Sequence, residues 1–450
     1  MKFSDAFTSS SISLNWNTFQ QTSNRPPLLG TSFFPPKKKL GLDLKFIKGY
    51  SGAPIALAAS AFDTEATVRD RIGFKVLQDS MPYFKESFLV KEEDRQEILR
   101  AQDSNDPYVQ TVIDSVYADA RNLIDGANVI PERMIWQLLA PVDGTPKISI
   151  SDNGVNKEYN YDPDGSFKAN NFRALSGTSA WTDYENSDPI ADIESGAEKI
   201  AKATGVRPTY AIMSQKTLND IKKNKNVKGY IISSANGGVA RITKQAVIDL
   251  IQSETKITVI EYNAVFKPSQ NAPAQSYYPD DMVTLLPANV GNMYYGTTPN
   301  EADKMSGSNA DTTIVNTGVA VTVIQKTDPV QSQTIASEIC LPSFEGMDTV
   351  FVINTDSNAG KLTVTSTAGT ATGKTAVTVT PSAASGNSYK YKAGASITIP
   401  KVGDVCSSGY TNWDGSAEIT AVTGNTIVIV EVDSNNKAVK VGSATVTSKS

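Results

Sequence analysis

The sequence predicts an α+β body followed by an all-β C-terminal domain, and three observations carry that prediction. Apolar residues recur at helical spacing behind N-cap residues at Asp188, Ser214 and Thr243. Strand-like runs alternate with those helices between Thr209 and Leu286, the order of a mixed helix-and-sheet layer. Composition then changes abruptly near Asp356. Residues 361–450 hold 15 threonines and 12 serines, and glycines punctuate their alternating runs at the spacing of a sandwich or small barrel.

Taken in order, residues 1–50 show no long period and carry Pro26, Pro27, Pro35 and Pro36, so they read as an extended arm. Leu42, Leu44 and Phe46 alternate as in a strand. Breakers at Gly49, Gly52, Pro54, Gly73 and Pro82 keep the chain extended to Val90, and residues 51–92 read as a long projecting hairpin. A spine helix follows, with Asp106 as N-cap, Pro107 at the first helical position and a stripe of Val109, Val112, Ile113, Val116, Ala120, Leu123 and Ile124; Gly126 is its expected stop. A second helix starts at Pro131, with Met134, Ile135, Leu138 and Leu139 on one face, and ends before Pro141. Between Asp143 and Ala174 the Gly, Asn and Asp content suggests a hairpin or loop excursion around Tyr159 and Tyr161. Three short helices open behind Asp188, Ser214 and Thr243, the first ending at Gly205. Strands are expected at Thr209–Met213, Lys256–Tyr262, Met282–Leu286, Thr313–Gln325 and Thr349–Asn354, and in the tail at Leu362–Thr367, Ala376–Thr380 and Thr426–Val432.

Composition excludes several chemistries. A chain with no histidine cannot run a Ser-His-Asp or Cys-His relay or build an HExxH zinc site. Cys340 and Cys406 are too few and too far apart for a zinc cluster or a disulfide framework, and read as buried thiols in a reducing compartment. The N-terminus has no apolar core of a secretory signal and no run approaches the ~20 apolar residues of a membrane span, so a soluble protein made in a cytoplasm is expected. A net charge of −5 argues against a dedicated nucleic-acid clamp.

The remaining motifs are weak. Ala368–Thr375 (AGTATGKT) imitates a phosphate loop, but Lys374 leads into AVTVTP, a strand rather than the helix such a loop requires, so a hairpin turn is expected. Asn160, Asp162, Asp164 and Gly165 imitate the start of a calcium loop whose twelfth position is Asn171 instead of Glu, and read as turn chemistry. Lys222, Lys223, Lys225 and Lys228 suit a helix C-terminus, while Lys37–Lys39 fits an acidic neighbour, nucleic acid or a solvated loop equally. Glu92 with Glu93 and Asp280 with Asp281 read as solvated carboxylates. No catalytic, cofactor or metal site is expected.

One stretch carries a resemblance. Phe33, Phe34 and Pro35, then Gly52, Ala53 and Pro54, then Arg71, Gly73 and Phe74, then Pro82 and Lys85 resemble the N-terminal signature of the lambda-type major capsid proteins of tailed bacteriophages. Trp181, the segment from Ser187 to Gly205 and the run from Arg207 to Ile221 resemble that family's central region, so the similarity spans about residues 25–350. It implies the Hong Kong 97-type capsid fold: arm at 1–50, extended loop at 51–92, peripheral domain with the spine helix at 93–142, axial domain at 143–308, a return to the peripheral domain at 309–355, and an appended decoration-like β-domain, Ig-like sandwich or small barrel, at 356–450. It implies no enzyme. It implies instead a subunit that closes into pentamers and hexamers of an icosahedral or prolate shell around double-stranded DNA held non-specifically, with portal and scaffolding proteins as further partners and no membrane, assembled in the bacterial cytoplasm and resident in the virion. Phe33, Phe34, Pro35, Gly52, Pro54, Arg71, Gly73, Phe74, Pro82 and Lys85 are then the expected assembly residues. Loop and arm would clamp neighbouring subunits, so a chain lacking residues 1–40 is expected to stay soluble without forming shells. The alternative is an exported surface-layer or adhesive protein with an Ig-like tail; a nucleotide hydrolase would require the Ala368 motif to be real.

Overall fold

The computed structural model describes residues 7–22, 26–48, 75–94, 96, 108–152, 155–231, 242–357, 360–383, 386–400 and 404–449. The chain divides into two compact units, Met1–Thr355 and Asp356–Ser450, at the composition break.

The first unit opens with helices α1 (Ser9–Thr22) and α2 (Gly30–Phe33), then strands β1 (Pro36–Lys38), β2 (Asp43–Lys48), β3 (Lys75–Ser80) and β4 (Tyr83–Val90). Helix α3 (Tyr108–Leu139) leads to the hairpin of β5 (Lys147–Asp152) and β6 (Val155–Asn160), then α4 (Ser166–Asn170) and β7 (Phe172–Ala174). An alternating stretch follows: α5 (Pro189–Thr204), β8 (Tyr210–Met213), α6 (Gln215–Lys223), α7 (Lys225–Ile231), α8 (Lys244–Thr255) and β9 (Thr258–Glu261). A small pair, β10 (Val265–Phe266) with β11 (Gln275–Ser276), precedes β12 (Met282–Leu286) and β13 (Asn292–Tyr295). Helix α9 (Pro299–Met305) and strands β14 (Asp311–Val315), β15 (Val319–Thr327), β16 (Val330–Ser343) and β17 (Phe351–Asn354) complete the unit.

Two sheets organise this unit. One runs β7-β17-β12-β8-β9, and α5, α6 and α8 cover one face by burying Ile193, Ile200, Leu218, Ile221, Val247 and Ile251 against Ala211, Met213, Val283 and Leu285. Its other face gives Ile212, Met282, Leu286 and Val352 to a second core with Trp136 and Leu138 of α3, which is why β12 reads as an unbroken apolar run. The other sheet runs β1-β13-β16-β15-β14 around β16, whose second edge is shared end to end by β4 and β13. Ala120 and Ile124 of α3 pack on its Val315, Val321 and Val323, so α3 is a strut common to both cores.

The caps at Asp188, Ser214 and Thr243 form as expected, each side chain accepting a backbone N–H three residues on, and Gly205 ends α5 at a φ of 77°. Two expectations need correction. Residues 9–22 are not an extended arm: Phe7, Ile12 and Trp16 bury against α3 and the β14–β16 sheet, and the Ser9 hydroxyl donates to Asp311 at 2.6 Å. Tertiary burial made this helix; its own apolar stripe is too thin to announce it. The spine is one 32-residue helix, ~48 Å long, rather than two. Gly126 keeps helical geometry within it, and Pro131 sits inside, its missing N–H offset by the buried Met134, Ile135, Trp136, Leu138 and Leu139 that follow. Asp106 and Pro107 lie outside the described residues.

In the second unit, strands β18 (Thr363–Ala368), β19 (Lys374–Thr380) and β22 (Ile419–Thr420) form one sheet, and β21 (Thr411–Trp413), β20 (Ser388–Gly394), β23 (Thr426–Val432) and β24 (Ala438–Thr445) the other. Leu362, Val364, Val377, Trp413, Ile419, Ile427 and Ile429 fill the space between them. Ala368 pairs with Thr375 and Gly369 N–H donates to the Lys374 carbonyl at 2.9 Å, so AGTATGKT is a hairpin turn.

Candidate assembly elements

Of the ten expected assembly residues, Gly52, Pro54, Arg71, Gly73 and Phe74 lie outside the described residues, as does Ala53. The other five frame the entry to the hairpin. Phe33 and Phe34 are interior: Phe33 meets Trp136 and Tyr210 edge-on and Phe34 packs on Phe344. They build this subunit's own core. The Pro35 carbonyl accepts the Met293 N–H at 3.0 Å, which seats β1 parallel to β13 as an edge strand. Pro82 is buried where β4 begins, and Lys85 is exposed on β4 opposite Ser337 of β16. Deleting residues 1–40 therefore removes Phe7, Ile12, Trp16, Phe33 and Phe34 from two cores, and unfolding, not clean loss of assembly, is the expected result.

The residues just before β2 and strand β4 carry exposed apolar side chains. β2 and β3 pair antiparallel from Asp43 with Ser80 to Lys48 with Lys75, anchored by the buried Leu44 and Met81. Just before β2, Leu40 and Leu42 are 73% and 53% exposed, and Tyr83 and Leu89 of β4 are also exposed. Of the basic run, Lys38 binds Glu301 at 2.6 Å and the Gly296 carbonyl, and Lys39 donates to the Asp43 carbonyl, so both ammonium groups already have partners within the chain.

Sequence reasoning missed the environments of several carboxylates, among them the buried Glu132 and Glu338 and the half-buried Asp281. Glu132 of α3 accepts the N–H groups of Leu29 and Gly30, the Trp136 indole and the Tyr262 hydroxyl, and burial still holds its carboxyl above the usual range. Glu338 of β16 is fully buried beside the Cys340 thiol, neither oxygen has a conventional hydrogen-bond partner, and burial pushes its pKa up to about 8. Asp281 is not simply solvated: burial raises its pKa while the Lys216 ammonium contacts it and draws it back down, and Asp280 accepts the Ser214 hydroxyl at 2.6 Å. Lys216 and Asp280 line a polar pocket beside α6 together with Asp220, Lys223 and Tyr184. Asp162 caps α4 through the N–H groups of Phe167 and Lys168, the turn chemistry expected of the calcium-like loop. Among the described residues no cluster of His, Cys, Asp and Glu is arranged to hold a metal, and no helix is long and apolar enough to cross a membrane.

The first unit thus combines a paired β2–β3 segment, a long strut helix, a helix-covered sheet and a second sheet built around β16. Residues 16–344 match the family model described as phage major capsid protein E, and the chain belongs to that family. Residues 367–449 match a second model, the C-terminal domain of the S-layer protein SbsC. Among solved structures, a protein assigned as the capsid protein of a prophage in Escherichia coli CFT073 is 13% identical with a TM-score of 0.49, covering 77% of this chain and 99% of that one. A phage-related protein from Bordetella bronchiseptica RB50 is 15% identical with a TM-score of 0.45 over 77% and 97%. The cyanophage A-1(L) capsid protein is 13% identical with a TM-score of 0.43 over 74% and 92%. No curated protein matches the chain.

Proposed function

We propose that this capsid protein is the repeating subunit of a tailed-phage head, closing into rings of five and six that enclose double-stranded DNA, and that it is not an enzyme acting on an external substrate. The family match over residues 16–344 carries the reading. The paired base of the β2–β3 hairpin and the exposed Leu40, Leu42, Tyr83 and Leu89 beside it support docking on a neighbouring copy, since many modest contacts per subunit multiply into a stable shell. A net charge of −5 suits a wall that contains DNA without gluing it down. Portal and scaffolding proteins complete the assembly, which takes place in the host cytoplasm.

The second unit is proposed to stand on the outer surface, cementing neighbours or meeting the host cell. Its first, second and fifth strands share one sheet and its fourth, third, sixth and seventh the other, which is an Ig-like order with the fourth strand moved across. The match of residues 367–449 to an S-layer domain supports a surface role and also favours a second reading, an exported surface-layer protein. Expression of the full chain followed by size-exclusion chromatography and negative-stain microscopy tests both. Hollow closed particles or five- and six-fold rings support the head subunit; flat two-dimensional arrays or only monomers overturn it.

A further inference from the structure

The second unit holds a Glu, Lys and Asn constellation around a buried carboxylate. Glu431 lies on the inner face of β23, in period with the core residues Ile427 and Ile429, and has no solvent exposure. Lys440 of β24 stands opposite it in register, with Nζ 2.9 Å from one carboxylate oxygen. Asn387, the residue before β20, donates its Nδ2 to the other oxygen at 2.7 Å. β20 and β24 flank β23 on either side, ~10 Å apart at the ordinary strand spacing, so a lysine and an asparagine side chain together span the central strand. Tyr389, also opposite Glu431 and packed on Trp413, helps wall off the site.

We propose that Lys440 and Asn387 form an intramolecular isopeptide bond, with Glu431 as the catalytic residue that handles the protons. One proton passes from the Lys440 ammonium to the Glu431 carboxylate, freeing an amine electron pair beside an amide. The amide turns its oxygen to the new Glu431 O–H, which polarises the carbonyl. Nζ then bonds to Cγ of Asn387, the Cγ–Nδ2 bond breaks, a second lysine proton moves to the departing nitrogen, and ammonia leaves. The ammonium, carboxylate and carboxamide become a secondary amide, a neutral carboxylic acid and ammonia, so no charge pair stays buried, and no oxidant, metal or cofactor is consumed. An ion pair whose carboxylate is fully buried gives little net stability, whereas this exchange removes its desolvation cost and ties two strands covalently across a third.

Mass spectrometry of the full-length protein, incubated folded at neutral pH, reads the bond directly. The expected mass is below that of the sequence by one ammonia, and a tryptic digest yields a branched peptide joining Asn387 to Lys440, with no cleavage after Lys440. K440R, which keeps the charge but lacks the primary amine, and E431Q are each expected to show the unmodified mass while retaining a native circular dichroism spectrum. N387A is the further check if either variant fails to fold. A wild-type mass equal to the sequence, or loss of ammonia with the Lys440 peptide free, as a succinimide at Asn387 alone would give, overturns the proposal.

Discussion

The carboxylate of Glu132, near the C-terminal end of α3, caps the backbone of Gly30, accepting its N–H at 2.9 and 3.0 Å from its two oxygens. One side chain thereby fixes the start of α2, the Trp136 indole and the Tyr262 hydroxyl, and so locks the N-terminal segment onto the strut helix.

That fit leaves no room for a side chain at residue 30. A Cβ there would sit 2.6 Å from Glu132 Oε2, so Gly30→Ala is expected to destabilise the first unit by about 1–3 kcal/mol through overpacking. Glu132→Gln replaces an acceptor by a donor among four donors and is expected to cost about 1–3 kcal/mol for the group left unpaired. Urea unfolding followed by tryptophan fluorescence measures both; wild-type midpoints would count against this role.

Glu338 makes stability depend on pH in a defined direction. Its folded-state pKa, about 8, lies above the ordinary value of 4.5, so between those limits the folded protein holds a proton that the unfolded chain has released. This group's contribution to stability therefore falls as pH rises from 4.5 to about 8, by at most ~1.4 kcal/mol per pH unit. Glu338→Gln should flatten that slope in unfolding experiments across the window and raise stability at its alkaline end. A variant that retained the wild-type slope would reassign it to other groups.

The exposed leucines beside the hairpin should matter to assembly and not to folding. Leu40→Lys with Leu42→Lys is expected to move the unfolding free energy by no more than ~0.5 kcal/mol each while abolishing closed particles in negative stain. Normal particles from the double variant would place the subunit contact elsewhere.

The two units should melt separately. A Cβ at Gly442 would lie 2.2 Å from the Leu362 carbonyl, so Gly442→Ala is expected to lower only the transition of the second unit in calorimetry, by several degrees. A chain ending at Ser357 should retain the other transition unchanged and form particles without external protrusions.

Much of the fold is legible in the sequence because it is written locally. Asp188, Ser214 and Thr243 announce their helices through their own side chains, and Gly205 ends one of them by its own backbone freedom. The all-apolar β12 and the alternating β18 and β19 declare their burial in the same way. What was hidden depends on residues far apart in the chain. Trp16 finds Asp125, Ser9 finds Asp311, and Leu29 and Gly30 find Glu132; none of these pairings leaves a local period. Asp281 looked solvated because Lys216 and the burial around it come from other segments.

By itself the sequence determined the secondary elements with strong caps or clear periods, the boundary at Asp356, the exclusion of histidine chemistry and a resemblance to capsid proteins. Tertiary structure alone decided that the first residues form a packed helix, that the spine runs unbroken through Gly126 and Pro131, and that Phe33 and Phe34 serve the subunit's own core. It also set Glu431 between Lys440 and Asn387. The division follows from range: capping and periodicity act within a few residues, whereas burial sums contacts across the whole chain and overrides local preference wherever they conflict.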